Sequence, residues 1–287
     1  MAKVIRAEVL GFCMGVRRAV ELAAAEAERK RGASVYTIGA LIHNPKVLSD
    51  LEKLGIKILK QYTEIPENSS VIIRAHGISR QLEEELQRKN CRIVDATCPK
   101  VKASQLKAQA LVRDGYRLFL SGEAEHAEIA GILDYAAEGF CQVVESAVNA
   151  QNCAAKLYEK EQDAKTALIG QTTISEEEYS EIGEAIKTYF PALKVIRTIC
   201  GATKDRQKAL WQLLEHVEGV VVAGGKESAN TRRLLMIAQG SGKPAVIAEN
   251  AADVPKDFKG LKAIGLCAGA STPDSLIDEI ELELCRL

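Results

Sequence analysis

Three cysteines stand at the same kind of place in this chain. Cys13 in "AEVLGFCMGVRRAV", Cys98 in "RIVDATCPKV" and Cys200 in "LKVIRTICGATKDRQKA" each follow a β-branched run and precede an amphipathic helical pattern. A helix N-terminus favours the thiolate, the form that binds metal. Pro99 suits a first helical position, where a missing N–H is not needed. Three thiolates without a fourth partner of the same type point to a metal site with an open position. Zinc with three protein ligands and a water is one such centre, and an iron–sulfur cluster is the other.

The other chemistry-bearing residues fall at other strand ends. The chain has only four histidines; His43, His76 and His126 occupy strand-to-helix turns, whereas His216 lies within a helical pattern and reads as structural. Ser228, Asn230 and Ser271 supply further hydrogen-bonding groups in turns whose backbone N–H groups favour anions. Glu128 lies two residues after His126, and Thr172 and Thr173 offer hydroxyls. A carboxyl, a hydroxyl and a histidine beside an open metal position would form a proton-delivery set. Arg17, Arg18, Lys100, Lys102, Lys204 and Arg206 crowd the helix starts that follow the cysteines. Cations oppose the helix dipole there, so an anionic centre, an anionic substrate or an acidic electron donor would account for them. Solvated surface charge is the plainer alternative.

What must position these residues is a threefold internal repeat. Each cysteine is followed by a helix and then a second strand: "VYTIG", "YRLFLSG" and "GVVVAGG". Each second strand leads to a polar loop and helix, a short third strand ("IKILK", "FCQVVES", "PAVIAEN") and a fourth strand ending in another polar loop ("VIIRAHGIS", "TALIGQTTIS", "LKAIGLCAGASTP"). Strands alternating with helices predict an α/β fold with parallel sheets covered on both faces. The expected architecture is three pseudo-symmetric α/β lobes, 14–97, 98–194 and 195–287, with an N-terminal strand at 1–13 packing in the core. Ligands bind outside the carboxyl ends of such strands, where every polar loop named here belongs, so the three cysteines are expected to meet at a central site.

Composition narrows the function classes. With 47% hydrophobic and 27% charged residues the chain reads as an ordinary globular protein. A net charge of −1 gives no argument for nucleic acid or a membrane surface. No apolar run approaches the ~20 residues of a membrane span. The N-terminus lacks a signal-peptide core, so a cytoplasmic location is expected. There its thiols stay reduced, and no CxxC pair supports a zinc ribbon. Cys91, Cys141, Cys153 and Cys285 have no companion motif and read as small hydrophobes. Cys267 ends a strand, but its neighbours "AGASTPD" read as a binding loop. No GxGxxG fingerprint marks a second redox cofactor, so any electrons must come from outside.

At these residues the sequence resembles the 4-hydroxy-3-methylbut-2-enyl diphosphate reductase family, which closes the non-mevalonate route to isoprenoids. The resemblance runs in order through "GFCMGVRRAV", "IHNPKV", "RAHGIS", "DATCPKV", "HAEIAG", "QTTIS", "TICGATKDRQKA", "GGKESANT" and "AGASTPD", and covers essentially the whole chain. It implies a single [4Fe–4S] cluster held by Cys13, Cys98 and Cys200, with one iron open to substrate, at the centre of the three lobes. It implies that His43, His76, Ser228, Asn230 and Ser271 hold a small diphosphate, with His126, Thr172, Thr173 and Ala229 nearby, and that Glu128 delivers protons with help from Thr172 and His126. The products would be isopentenyl and dimethylallyl diphosphate, and the electron donor a ferredoxin or flavodoxin. The chain departs from the family's usual Asn-Ser-Ser-Asn at Glu227-Ser228-Ala229-Asn230, which removes one hydroxyl. It also has His126-Ala127-Glu128 where His-Pro-Glu is usual. Other readings of the same residues are a cluster reductase of another allylic or enoyl substrate, a zinc hydrolase, and a non-catalytic cluster-based sensor of diphosphates. Glu128 beside His126 speaks against the sensor, which needs no proton donor.

Overall fold

The structure, a computed structural model, describes residues 3–30 and 34–287; residues 1 and 2 of the expected N-terminal strand lie outside the described residues. The chain runs β1 (Lys3–Arg6), α1 (Met14–Arg29), β2 (Val35–Ile38), α2 (Pro45–Lys53), β3 (Ile56–Leu59), β4 (Ser70–Ile73), α3 (Arg80–Arg88) and β5 (Arg92–Asp95). It continues through α4 (Pro99–Arg113), β6 (Arg117–Ser121), α5 (Ala127–Tyr135), β7 (Cys141–Val144), α6 (Ala147–Tyr158), β8 (Thr166–Gly170), α7 (Glu176–Lys187) and β9 (Lys194–Val195). The last stretch is α8 (Gly201–Leu214), β10 (Gly219–Ala223), α9 (Ala229–Gly240), β11 (Ala245–Ala248), β12 (Ala263–Ala268) and α10 (Asp274–Leu284).

These strands form three four-stranded sheets with one shared order: β3-β2-β4-β5, β7-β6-β8-β9 and β11-β10-β12-β1. The pairings β1–β12, β10–β11, β10–β12, β2–β4, β4–β5, β6–β7, β6–β8 and β8–β9 are parallel, as alternating strands and helices require. In each sheet the strand that leads toward a cysteine takes an edge place beside the fourth strand of a repeat. Thus β5 pairs with β4, β9 with β8, and β1 with β12.

Burial explains the apolar runs. Strands β6, β8 and β10 are buried mainly or entirely along their lengths, because helices cover both faces of a parallel sheet. Phe119 and Leu168 pack with Ala150 and Ala154 of α6 and Ile182 and Ile186 of α7. On the other face Leu118 and Leu120 meet Leu111 of α4 and Ile129 and Ile132 of α5. Val220 and Val222 of β10 likewise pack with α8 and α9, while Val221 and Ala223 pack with α10.

The chain packs as two compact units: Met1–Ala33 with Ala40–Ile58 and Gly201–Leu287, and Ser34–Gly39 with Leu59–Cys200. The first carries Cys13, His43, Ser228, Ala229, Asn230 and Ser271. The second carries His76, Cys98, His126, Glu128, Thr172, Thr173 and Cys200.

One local difference from the sequence pattern concerns the strands before the cysteines, which stop short of them at Arg6, Asp95 and Val195. Gly11, at φ +79, turns the chain ahead of Cys13, a conformation that a strand cannot hold. The Asp95 carboxylate accepts the Thr97 N–H at 2.9 Å and starts a turn. The Thr198 hydroxyl takes both backbone groups of Gly170, accepting its N–H at 2.8 Å and donating to its carbonyl at 2.7 Å, in place of further ladder pairing.

Candidate active site

In the second unit the fourth-strand loop after β8 meets the N-terminus of α5. His126 caps that helix: its Nδ1 accepts the Glu128 N–H at 3.2 Å, so in the neutral ring Nε2 carries the hydrogen. The ring stands edge-on to His76, with centroids 5.3 Å apart. Glu128 is 1% exposed. Its Oε1 accepts the Thr172 backbone N–H and its Oε2 the Thr172 hydroxyl, both at 2.8 Å. Burial pushes the Glu128 carboxyl up to about 7, outweighing the two hydrogen bonds, which favour its charged form. Thr173 Oγ1 accepts from Gln171 Nε2 at 3.0 Å, and Gln171 Oε1 accepts the Glu123 N–H at the same distance. Gln171 thereby ties Thr173 to the loop before His126. It sits inside the "QTTIS" motif, but its role was not readable without its partners.

In the first unit the loops after β10 and β12 meet the turn that begins α2. The Ser271 hydroxyl donates to the His43 carbonyl at 3.1 Å. A Cβ on Gly225 would fall 2.5 Å from that same carbonyl oxygen, so only glycine lets the loops approach this closely. Ser228 caps α9, its hydroxyl accepting the Thr231 N–H at 3.4 Å. Asn230 is 4% exposed, yet neither its amide nitrogen nor its carbonyl oxygen has a hydrogen-bond partner. Buried polar groups are normally satisfied, so this carboxamide is equipped for a ligand that supplies the missing bonds. Ala229 is the first residue of α9 and is buried beside it. Its position offers a backbone N–H at a helix start but no hydroxyl.

The three cysteines share one backbone device. The Cys13 N–H donates to the Ala270 carbonyl at 3.0 Å, the Cys98 N–H to Ala75 at 2.9 Å, and the Cys200 N–H to Thr172 at 3.0 Å. Each acceptor is, or directly precedes, an expected ligand residue of a fourth-strand loop: Ser271, His76 and Thr172. Within each unit, then, a cysteine and a fourth-strand loop are fixed to each other. None of the three is in a disulfide and all are partly exposed, and the Cys13 sulfur accepts the Val16 N–H of α1 at 3.5 Å. Burial pushes the thiols of Cys141, itself partly exposed, and of fully buried Cys267 up to about 12. They are suited to packing rather than to metal binding. Cys13, Cys98 and Cys200 are therefore each suited in chemistry and in access to bind a soft metal ion.

The basic residues at the helix starts divide by exposure. Arg17 and Lys100 are exposed. Lys102 instead donates to the Tyr135 hydroxyl at 2.6 Å, and Arg206 is 4% exposed with its guanidinium on backbone carbonyls. Lys102 and Arg206 thus both have partners within their own fold.

Comparison with known proteins adds independent support. The family described as LytB protein matches residues 4–284. A protein of Treponema denticola named 4-hydroxy-3-methylbut-2-enyl diphosphate reductase is 43% identical, over 97% of this chain and 98% of its own length. One of the same name from Aquifex aeolicus is 39% identical over 100% and 98%. Among solved structures, the E-1-hydroxy-2-methyl-but-2-enyl-4-diphosphate reductase from Plasmodium falciparum superposes with a TM-score of 0.90 at 28% identity, over 98% of this chain and 87% of that one. Another, an (E)-4-hydroxy-3-methyl-but-2-enyl diphosphate reductase described as the terminal enzyme of the non-mevalonate pathway, gives 0.71 at 38% identity over the full length of both. Agreement of this kind in sequence and fold, from end to end, means that the chain belongs to the LytB family, the 4-hydroxy-3-methylbut-2-enyl diphosphate reductases.

Proposed function

We propose that this protein reductively dehydroxylates 4-hydroxy-3-methylbut-2-enyl diphosphate to isopentenyl and dimethylallyl diphosphate. Two electrons and two protons enter, the C–O bond breaks, and water leaves. The observation that carries this reading is the Glu128–Thr172 pair: a buried carboxyl near 7, held in place by two donors from one residue and adjoining a helix-capping histidine. A proton donor must be protonated at working pH, and burial arranges that here.

In this reading Cys13, Cys98 and Cys200 hold one [4Fe–4S] cluster, which supplies the electrons and a Lewis-acidic iron when bound. Glu128 gives its proton to the departing hydroxyl, and Thr172 keeps the carboxyl aimed by its N–H and hydroxyl. His126 adjoins that pair and His76 stands edge-on to His126; His126 donates from Nε2 to an oxygen of the substrate. His43, Ser228, Ala229, Asn230 and Ser271 bind the diphosphate, the orphaned Asn230 amide donating to a phosphate oxygen, with Thr173 nearby. Phosphate contacts of this type are charge-assisted and correspondingly strong. The electron donor is a ferredoxin or flavodoxin, and cysteines outside any disulfide fit a reducing cytoplasm. The division 14–97, 98–194 and 195–287, with the strand at 1–13, is the corresponding lobe assignment.

The test is anaerobic turnover of the hydroxymethylbutenyl diphosphate with a reduced artificial donor, alongside iron, sulfide and zinc analysis. Formation of both isoprenyl diphosphates by a protein carrying about four irons is the expected result. A zinc-loaded protein, or a cluster-loaded one that binds the diphosphate without turnover, would overturn it. No helix among the described residues is long and apolar enough to cross a membrane.

A further inference from the structure

The segment between β1 and α1, residues 7–13, starts on the sheet, where the Ala7 N–H donates to the Leu266 carbonyl at 2.8 Å, and leaves it before Cys13. Beyond that bond it is held at several points. The Cys13 N–H bonds to Ala270, and Gly11 packs so tightly that a Cβ there would lie 3.0 Å from Asp274 Oδ1 and 3.3 Å from Ile277 Cδ1 of α10. Another point is Arg206 of α8. Its Nη1 donates to the Ala202 carbonyl at 2.8 Å, and its Nη2 donates to the carbonyl of Gly11, two residues before Cys13.

Burying a guanidinium is costly, and Arg206 is only 4% exposed. An arginine kept at such a cost on backbone carbonyls acts through its fork, which holds two acceptors at a fixed angle. We propose that Arg206 is a positioning residue for Cys13: it clamps the Gly11 turn to α8 and so sets where the Cys13 sulfur stands. The part of this concerning the cluster rests on the reading of Cys13 as a ligand. The clamp itself does not. Other residues fix the other two cysteines: the Thr198 hydroxyl before Cys200 and the Asp95 carboxylate before Cys98. Arg206 holds a segment that contains a positive-φ glycine, as Arg74 Nε, on the Gly77 carbonyl at 3.1 Å, holds the loop that meets Cys98.

The test compares Arg206→Gln with Arg206→Lys in the cluster-loaded protein under anaerobic conditions. Hydrogen exchange resolved to the peptides around Cys13, Cys98 and Cys200 is the first readout. Losing a charged hydrogen bond to a backbone carbonyl should speed exchange in the Cys13 segment by roughly tenfold to hundredfold. The Cys98 and Cys200 segments should stay at the wild-type rate. Iron retention during dialysis against a chelator is the second readout, and it should fall in the glutamine variant. The lysine variant, which keeps the charge but not the fork, should fall between wild type and glutamine in both. Substrate KM should hardly move while kcat drops. Unchanged exchange around Cys13 in Arg206→Gln would overturn the clamp, and so would faster exchange in all three segments alike, which marks general loosening. If exchange rises at Cys13 while iron retention stays normal, the clamp stands and its role for the cluster is refuted. Should Cys13→Ser keep its full iron, the ligand reading fails instead, separately from the clamp.

Discussion

Replacing Glu128 with glutamine isolates one proton. The side chain keeps its length, its carbonyl oxygen can still accept the Thr172 N–H, and its NH2 can donate to the Thr172 hydroxyl. What disappears is the titration. In the folded protein the carboxyl sits near 7 against an ordinary 4.5, because burial disfavours its charge. A raised carboxyl contributes stability that is fully present below 4.5 and is lost as pH rises through about 7. The gap corresponds to about 3 kcal/mol, at 1.36 kcal/mol for each pH unit. Between pH 4.5 and pH 8.5 wild-type protein should therefore lose about 3 kcal/mol relative to Glu128→Gln, read from anaerobic denaturant midpoints. Turnover should show the same group. Wild-type kcat should fall about tenfold per pH unit above the Glu128 pKa, and a bound diphosphate would move that limb further upward. In the glutamine variant turnover should be lower by about 10²–10⁴-fold, the usual worth of general acid catalysis, and should lack the limb. Iron content and substrate-induced spectral changes should be retained. Near-normal turnover in the variant, or a shared alkaline limb in both proteins, would refute the assignment.

Other perturbations address the remaining parts of the site. Serine at Cys13, Cys98 or Cys200 should strip most of the iron and abolish turnover, whereas alanine at Cys91, Cys141, Cys153 or Cys285 should leave both near wild type, by metal analysis and assay. Ala229→Ser restores a hydroxyl at the start of α9 and should lower the Kd for diphosphate roughly fivefold, matching the ~1 kcal/mol of a net hydrogen bond; calorimetry showing weaker binding would reject this loop geometry. Gly225→Ala puts a Cβ 2.5 Å from the His43 carbonyl oxygen, and the forced shift should cost about 1–3 kcal/mol of stability as well as diphosphate affinity.

Much of the fold was legible because parallel strands buried on both faces leave continuous apolar runs. "YRLFLSG" and "GVVVAGG" became β6 and β10 almost residue for residue. The strands before the cysteines were overextended. Their last residues are apolar enough to continue, but Gly11, the Asp95 turn and the Thr198 hydroxyl redirect the backbone, and those are contacts rather than patterns. For the site, Glu128 beside His126 was visible as a pair in sequence. Its partner Thr172, 44 residues away, followed from the repeat and the resemblance, and the hydrogen bonds that hold it are a product of the fold. The inward turn of Lys102 and Arg206 was not legible at all. Charge is written in the sequence, but whether a cation faces water or a carbonyl depends on which neighbour buries it.

The repeats and the sheets are out of phase, and this explains why the cysteines belong where they are. Each repeat begins at a cysteine, but the strand leading to that cysteine pairs with the fourth strand of the repeat before it. The first repeat has no predecessor in the chain. Its leading strand β1 pairs with β12 of the last repeat, 260 residues later by the Lys3–Ala263 register. That pairing closes the series into a cycle, so Cys13 receives its carbonyl from Ala270 just as Cys98 receives one from Ala75 and Cys200 from Thr172. Every cysteine thus lies at a seam, with a helix of one repeat on one side and the fourth-strand loop of another on the other. A change in a fourth-strand loop that shifts its carbonyl must act on a cysteine encoded far away or in the next repeat. The seam at Cys13 spans the longest separation in sequence and forms only after both ends of the chain are in place. There Arg206, 4% exposed, ties the turn before the cysteine to α8.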